Sequence, residues 1–206
     1  IFLPNPNQPI ENYYNLKQLD QLAKKCLKYK CLLFVDEAYY HFGSKTAVGL
    51  IKKYKNVVVA RTFSKGFGVP SIRLGYLISN KNLIKFLSAN RLAHETNSLS
   101  VKVADYLIDN WKLVKKYNQS VIRSREFVKK ELKNINISSE GKYGNYLLIN
   151  MGNPQKNERL IKFLKTNKIY VKGPWKKPYQ NFFSISIGPK HLMDKFLIQI
   201  RKFQNL

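Results

Sequence analysis

The stretch RTFSKGFGVPSIRLGY, residues 61–76, follows a continuous apolar run and contains the lysine with the most unusual surroundings in the chain. Lys65 lies between Ser64 and the glycines Gly66 and Gly68, whereas most other lysines occupy positions typical of solvent-exposed faces. Glycine lets a backbone approach another group closely, and an ordinary surface loop has no need of that property. The stretch therefore marks Lys65 as a candidate functional residue.

Apolar segments around this stretch alternate with helical ones. Continuous apolar runs predict strands within 31–40, 56–64 and 74–79, and an amphipathic helix with Leu19 and Ala23 on one face precedes the first of them. Strands that are apolar on both faces and separated by amphipathic helices indicate an α/β fold with a mainly parallel sheet, covered on both sides.

A long helical region predicts a domain boundary. Helical patterning continues from about residue 80 to Lys133, and the strands and helices after it are typical of a small α/β domain with a short antiparallel sheet. We assign residues 1–115 to the C-terminal part of a large domain that runs into a connecting helix, and residues 116–206 to a small C-terminal α/β domain. Because Ile1 opens inside a predicted strand, we expect the chain to be part of a longer protein.

Composition argues against several classes of protein. The net charge is +25, but 30 of the 37 basic residues are lysines and no zinc-finger, RNP or basic-helix pattern occurs, so the charge does not predict a nucleic-acid ligand. No apolar run approaches the ~20 residues that span a bilayer. Cys26, Cys31 and three scattered histidines do not predict a metal site. The two thiols are expected to be free, buried or half-buried, in a reducing cytoplasm.

Three further motifs accompany Lys65. They are the turn NPNQP around Gln8, the segment VDEAYYHF with Asp36 at the end of a buried strand, and Arg73 downstream. Asp36 lies 28 residues after Gln8 and 29 residues before Lys65. Together with TNSLS (96–100), YGNYLLIN and FSISIG, these motifs resemble the fold-type I pyridoxal-phosphate aminotransferases over essentially the whole chain. The histidinol-phosphate aminotransferase-like branch is the most similar.

The resemblance implies a PLP-dependent transferase fold of the aspartate aminotransferase type and a role for each motif. Lys65 would form the Schiff base with pyridoxal 5'-phosphate and then move a proton between the substrate Cα and C4′. Asp36 would hold the proton on the ring nitrogen, and Gln8 and Tyr39 would contact the ring O3′. The implied ligands of the cofactor phosphate are Thr62, Ser64 and Arg73.

This chain departs from the family pattern at three positions. Gln8 stands where the family has an asparagine. Lys172 and Ser184 stand where the family has arginines that hold a carboxylate or phosphate of the substrate, and they are the candidate substrate-binding residues. A serine cannot replace the arginine fork, so the identity of the substrate stays open.

The resemblance implies a cytoplasmic, homodimeric aminotransferase of amino acid biosynthesis that takes an amino donor and an oxo or phosphorylated acceptor. Two alternatives stay open: a pyridoxal-phosphate decarboxylase or lyase of the threonine-phosphate decarboxylase type, and a non-catalytic basic binding protein on the same fold. In the family, an N-terminal part supplies the ring stacked on the cofactor and a glycine-rich loop. We therefore expect these 206 residues to be inactive alone.

Overall fold

A computed structural model describes residues 1–92 and 95–205, which fold into two compact units. The first unit comprises residues 1–8 and 12–118, and the second comprises residues 9–11 and the chain from Gln119 onward. The predicted boundary between residues 115 and 116 concerns the domains of the complete protein and stays a prediction. Within the described ranges, no helix combines the length and the apolar character needed to cross a membrane.

The first unit contains a four-stranded sheet in the order β1-β2-β3-β4. Strands β1, β2 and β3 are parallel, and β4 pairs antiparallel with β3. The predicted α/β fold with a mainly parallel sheet is thus present. The strands are β1 (Phe2–Pro4), β2 (Leu33–Asp36), β3 (Val57–Thr62) and β4 (Gly75–Ile78).

Burial explains why β2 and β3 form the centre of this sheet. Val35 pairs with Val59, and both side chains are fully buried. Helix α1 (Leu16–Lys28) covers them with Leu19 and Ala23, which are also fully buried. β-branched residues fit the pleated surface of a sheet, and their burial removes apolar area from water. The apolar run is therefore sufficient to define the central strands.

Asparagines divide the predicted long helical region into three helices. The side chain of Asn80 accepts a hydrogen bond at the start of one helix, and that of Asn97 does so at the start of the next. Asn110 ends the second helix by donating its backbone and side-chain N–H groups to Tyr106. Asparagine side chains satisfy the unpaired amides of helix starts, so they interrupt an otherwise helical pattern. The three helices are α2 (Lys81–Ser88), α3 (Ser98–Asp109) and α4 (Trp111–Asn134).

The second unit contains a three-stranded antiparallel sheet in the order β5-β6-β7, as expected. Lys172 forms a single bridge to Ser184, and Pro174 has no N–H with which to continue the ladder. The elements are β5 (Ser138–Glu140), β6 (Tyr146–Asn150), α5 (Pro154–Thr166), β7 (Phe182–Ser186) and α6 (Lys190–Gln204).

The two cysteines are free. Cys26 is buried in the face of α1 that packs on the sheet, in agreement with the sequence prediction. Cys31 is exposed, so the expectation that its thiol is buried or half-buried was wrong. The reason is that the chain turns between α1 and β2, and the turn leaves the Cys31 side chain outside the core.

Candidate active site

Asp36 stands at the C-terminal end of β2 and is held by two hydrogen bonds. Its carboxylate Oδ1 accepts from the N–H of Ala38 at 2.9 Å, and its carbonyl accepts from the N–H of Asn5 at 2.8 Å. In parallel sheets, ligands bind at the carboxyl ends of strands. The carboxylate therefore has a defined place at the edge where a ligand is expected.

Tyr39 and Gln8 contact each other directly. The phenol of Tyr39 donates a hydrogen bond of 2.5 Å to Oε1 of Gln8. Burial and then the nearby Asp36 carboxylate raise the pKa of Tyr39 to about 12, so the phenol stays protonated and remains a donor at neutral pH. Since its oxygen accepts from Tyr39, the amide of Gln8 keeps its NH₂ group directed elsewhere as a donor.

The end of β3 and the turn that follows it contain the three candidate phosphate ligands. The hydroxyl of Thr62 donates to the carbonyl of Leu74 at 3.3 Å and accepts from the N–H of Ser64 at 3.0 Å. Arg73, next to Leu74, has a positive φ of 51° and donates from Nη1 to the carbonyl of Pro70 at 2.8 Å. A left-handed backbone conformation costs about 1 kcal/mol for any residue other than glycine. Such backbone strain is common at ligand sites.

Lys65 carries a half-buried amine in this turn. Its Nζ lies 5.6 Å from the centroid of the Tyr39 ring, and within the described part of the chain it has no hydrogen bond and no ion pair. The carbonyl of Lys65 accepts from the N–H of Gly68 at 3.0 Å, and Gly68 has a positive φ of 73°. The backbone is thus fixed while the amine is left available.

Gly66 explains why a glycine follows the lysine. A Cβ at this position would lie 2.5 Å from the side chain of His41, far inside van der Waals contact. The imidazole of His41 packs edge-on against Phe67 at a centroid distance of 5.1 Å. Burial, together with the charge of Arg61, lowers the pKa of His41 to about 4, so this ring is neutral at physiological pH.

A buried ion pair next to the site was not found by the sequence reasoning. The carboxylate of Glu37, 1% exposed as a residue, accepts from Nη2 of Arg61 at 2.9 Å and from the hydroxyl of Thr46 at 2.8 Å. Arg61 also stacks over the Tyr40 ring at 3.8 Å. The available sequence signal is the rarity of arginine in a lysine-rich chain, since only 7 of the 37 basic residues are arginines.

The two predicted substrate-binding residues meet in the second unit. The N–H of Lys172 donates to the carbonyl of Ser184 at 2.9 Å, and the N–H of Ser184 donates back at 2.8 Å. Ser184 is buried, whereas Lys172 is exposed with its Nζ 5.1 Å from the centroid of the Trp175 ring. The arrangement therefore offers one ammonium group and a small hydroxyl at these positions.

Comparisons with known proteins agree with the fold. Residues 1–200 match the family model described as aminotransferase class I and II. The histidinol-phosphate aminotransferase of Thermotoga neapolitana is 28% identical over 204 residues, which cover 99% of this chain and 58% of that protein. The chain thus spans less than two thirds of the length of this relative.

Two solved structures share the fold. The histidinol-phosphate aminotransferase of Sinorhizobium meliloti in complex with pyridoxal 5'-phosphate has a TM-score of 0.87 at 21% identity, covering 98% of this chain and 56% of that chain. The L-threonine-O-3-phosphate decarboxylase of Porphyromonas gingivalis has a TM-score of 0.77 at 18% identity, covering 100% and 64% respectively. At these identities the likeness concerns the fold, which hosts more than one reaction.

Proposed function

Because the chain belongs to the class I and II aminotransferase family, we propose that it acts in amino-group transfer with pyridoxal 5'-phosphate, with Lys65 as the residue that attaches the cofactor. The observation that carries the proposal is the environment of Lys65. A half-buried amine without a hydrogen bond or ion pair in the described chain lies 5.6 Å from the ring of Tyr39, whose phenol is already oriented by Gln8.

The side chains of the first unit fit this cofactor by their chemistry. Asp36 supplies a carboxylate to hold a proton on the pyridine nitrogen, and the NH₂ group of Gln8, whose oxygen accepts from the protonated phenol of Tyr39, supplies a donor for the ring oxygen. One cation and two hydroxyls suited to a phosphate come from the end of β3 and the turn after it, namely Arg73, Thr62 and Ser64.

Bound pyridoxal phosphate would supply an electron sink for the charge that develops at the substrate Cα. The amine of Lys65 would take the proton from the substrate Cα as a general base and then, as a general acid, deliver it to C4′ of the cofactor.

We further propose the organisation of the complete protein. Residues 1–115 belong to the pyridoxal-phosphate-binding large domain and residues 116–206 to the small C-terminal domain, which is supported by the division of the described chain near residue 118. We expect a cytoplasmic homodimer that takes a small amino donor and an oxo or phosphorylated acceptor. Histidinol phosphate is a candidate substrate, because the relatives that match the chain are named for it.

The test is reductive trapping with borohydride in the presence of pyridoxal phosphate, followed by peptide mapping. The adduct is expected on Lys65 and is expected to disappear in Lys65→Ala. Lys52→Ala, which removes an exposed lysine of the same unit, is the matched control and should keep the adduct. A modified peptide that contains another lysine, or no adduct in the full-length protein, would contradict the proposal.

A decarboxylase remains the second candidate, favoured by the fold match to a phosphothreonine decarboxylase and by the absence of arginine at positions 172 and 184. The two reactions share Lys65, Asp36 and Arg73, so the cofactor test does not separate them. Incubation with a panel of amino acids distinguishes the two reactions. Formation of a new amino acid from an added oxo acid supports the transferase, and release of carbon dioxide supports the decarboxylase.

A further inference from the structure

Arg61 is the only charged residue of β3, and it directly precedes the candidate phosphate ligand Thr62. Its side chain is 13% exposed and forms an ion pair of 2.9 Å with the fully buried carboxylate of Glu37. A buried ion pair is weak evidence for stability, because the cost of removing both charges from water can exceed their attraction. A role of this pair other than stability is indicated by the segments that it joins.

The guanidinium of Arg61 joins three segments of the first unit. It donates from Nε at 3.1 Å and from Nη2 at 2.9 Å to the same oxygen of Glu37, and Nη2 also donates to the hydroxyl of Thr46 at 2.7 Å. The Glu37 carboxylate accepts in addition from that hydroxyl and from the N–H of Ala47. Each of the two charges thus has more than one hydrogen-bond partner, so geometry as well as charge fixes the three segments to one another.

The same guanidinium packs on the ring of Tyr40. Its Cζ lies 3.8 Å from the centroid of that ring, which is within the range of a cation–π contact. The Tyr40 ring packs edge-on against His41, with 5.1 Å between the ring centroids, and His41 packs edge-on against Phe67 at the same distance. Side-chain contacts therefore run from β3 through Tyr40 and His41 to the turn that contains Lys65.

The two residues that this guanidinium contacts after β2 each follow a candidate cofactor ligand. Asp36 directly precedes Glu37, and Tyr39 directly precedes Tyr40. The N–H of Tyr40 donates to the carbonyl of Glu37 at 3.0 Å, so the chain turns tightly between the two contacts. Because neighbouring residues share their backbone, a displacement of Glu37 or Tyr40 would carry Asp36 and Tyr39 with it.

We propose that Arg61 is a positioning residue, which holds the segment after β2 against β3 and thereby sets the separation between the Asp36 carboxylate and the Lys65 amine. Arginine suits this role because its planar fork bonds Glu37 in two places while its face packs on Tyr40, whereas lysine offers only a point charge. The guanidinium acts through the backbone that carries the two ligands. The identity of the bound group rests on the proposed function, and the coupling of the two segments rests on these contacts alone.

The double variant Glu37→Met/Arg61→Met separates positioning from stability. Replacement of a buried ion pair by apolar side chains of similar volume is often neutral, so the urea midpoint of unfolding should stay close to that of the parent protein. The Kd for pyridoxal phosphate should nevertheless rise about tenfold, because methionine has no donor with which to fix the segment. Arg91→Met/Glu95→Met makes the same change in an exposed ion pair of the first unit and should leave the Kd within about twofold.

Arg61→Lys guards against a folding defect in the double variant. It keeps a cation beside Glu37 but loses the fork and the planar face, so the Kd for pyridoxal phosphate should rise about fivefold. Amide hydrogen exchange in the protein without pyridoxal phosphate gives a measurement that does not depend on the cofactor. Peptides from residues 36–42 should exchange about tenfold faster in Arg61→Lys, because their hydrogen bonds open more often, whereas peptides from α1 should be unchanged.

Two results would overturn the inference. One is unchanged exchange of residues 36–42 in Arg61→Lys, and the other is a Kd within about twofold of the parent value in both Arg61 variants. Failure of the proposed function would appear separately, as a missing adduct on Lys65 in the parent protein while exchange in Arg61→Lys is still accelerated.

Discussion

The side-chain amide of Asn118 donates a hydrogen bond of 2.9 Å to the carbonyl of Gly66, the residue that follows Lys65. The same NH₂ group donates to the carbonyl of Val114 at 2.8 Å, and the asparagine is 7% exposed. A contact between residues 52 positions apart thus anchors the candidate cofactor-binding turn to helix α4. This hydrogen bond fixes the backbone beside Lys65 without using the lysine side chain.

Replacement of Asn118 is expected to loosen the turn. Asn118→Ala leaves the Gly66 carbonyl without this donor, which should lower the free energy of unfolding by about 1–2 kcal/mol and reduce trapping of pyridoxal phosphate on Lys65. Urea denaturation and borohydride labelling measure the two effects. Asn134→Ala, at the exposed end of the same helix, is the control and should change neither. Full labelling in Asn118→Ala would show that the turn holds Lys65 without this bond.

The Glu37–Arg61 pair is expected to contribute to stability through the cost of breaking it. Glu37→Gln leaves a nearly buried guanidinium without its carboxylate, so the free energy of unfolding should fall by about 3 kcal/mol. Asp20→Asn removes one partner of the exposed Lys53–Asp20 pair, and its effect should be much smaller because solvent screens that pair. Chemical denaturation compares the two variants, and equal losses would argue against a special role of burial.

The titration of His41 predicts acid sensitivity. Its pKa in the folded state is about 4, below the ordinary value of 6.5, so the unfolded chain binds more protons between these values. The free energy of unfolding should therefore fall as the pH drops from about 6.5 to 4, on the order of 1–2 kcal/mol after allowance for solvent screening. Denaturation at a series of pH values measures this slope. His41→Gln should flatten it, and His191→Gln, at an exposed position, should not.

The phenol of Tyr39 is expected to support cofactor binding without titrating near neutrality. Tyr39→Phe removes the donor to Gln8, and the Kd for pyridoxal phosphate should rise about five- to tenfold, roughly 1 kcal/mol. Because the pKa of Tyr39 is about 12, the ratio of the two Kd values should be constant from pH 7 to 9. Absorbance titration measures the Kd, with Tyr29→Phe at an exposed position as the control. A ratio near one would remove Tyr39 from the site.

Much of the site could be anticipated because its residues follow strand ends. Asp36 closes β2 and Lys65 lies in the turn after β3, and ligands of α/β sheets bind at the carboxyl ends of strands. The partners of these residues could not be anticipated in the same way. Neither the hydrogen bond from Tyr39 to Gln8 nor the ion pair of Glu37 with Arg61 follows from a local sequence pattern, since each joins segments that are far apart along the chain.

The sequence by itself determined the apolar strands and the family motifs, and it marked Lys65 as a candidate, because apolar runs, glycines and charged residues act through their immediate neighbours. Only the tertiary structure decided that β4 runs antiparallel to β3, that Asn118 anchors the Lys65 turn, and that Arg61 contacts both Glu37 and Tyr40. These features depend on which distant surfaces pack together, and packing is settled by the burial and hydrogen bonding of the whole fold.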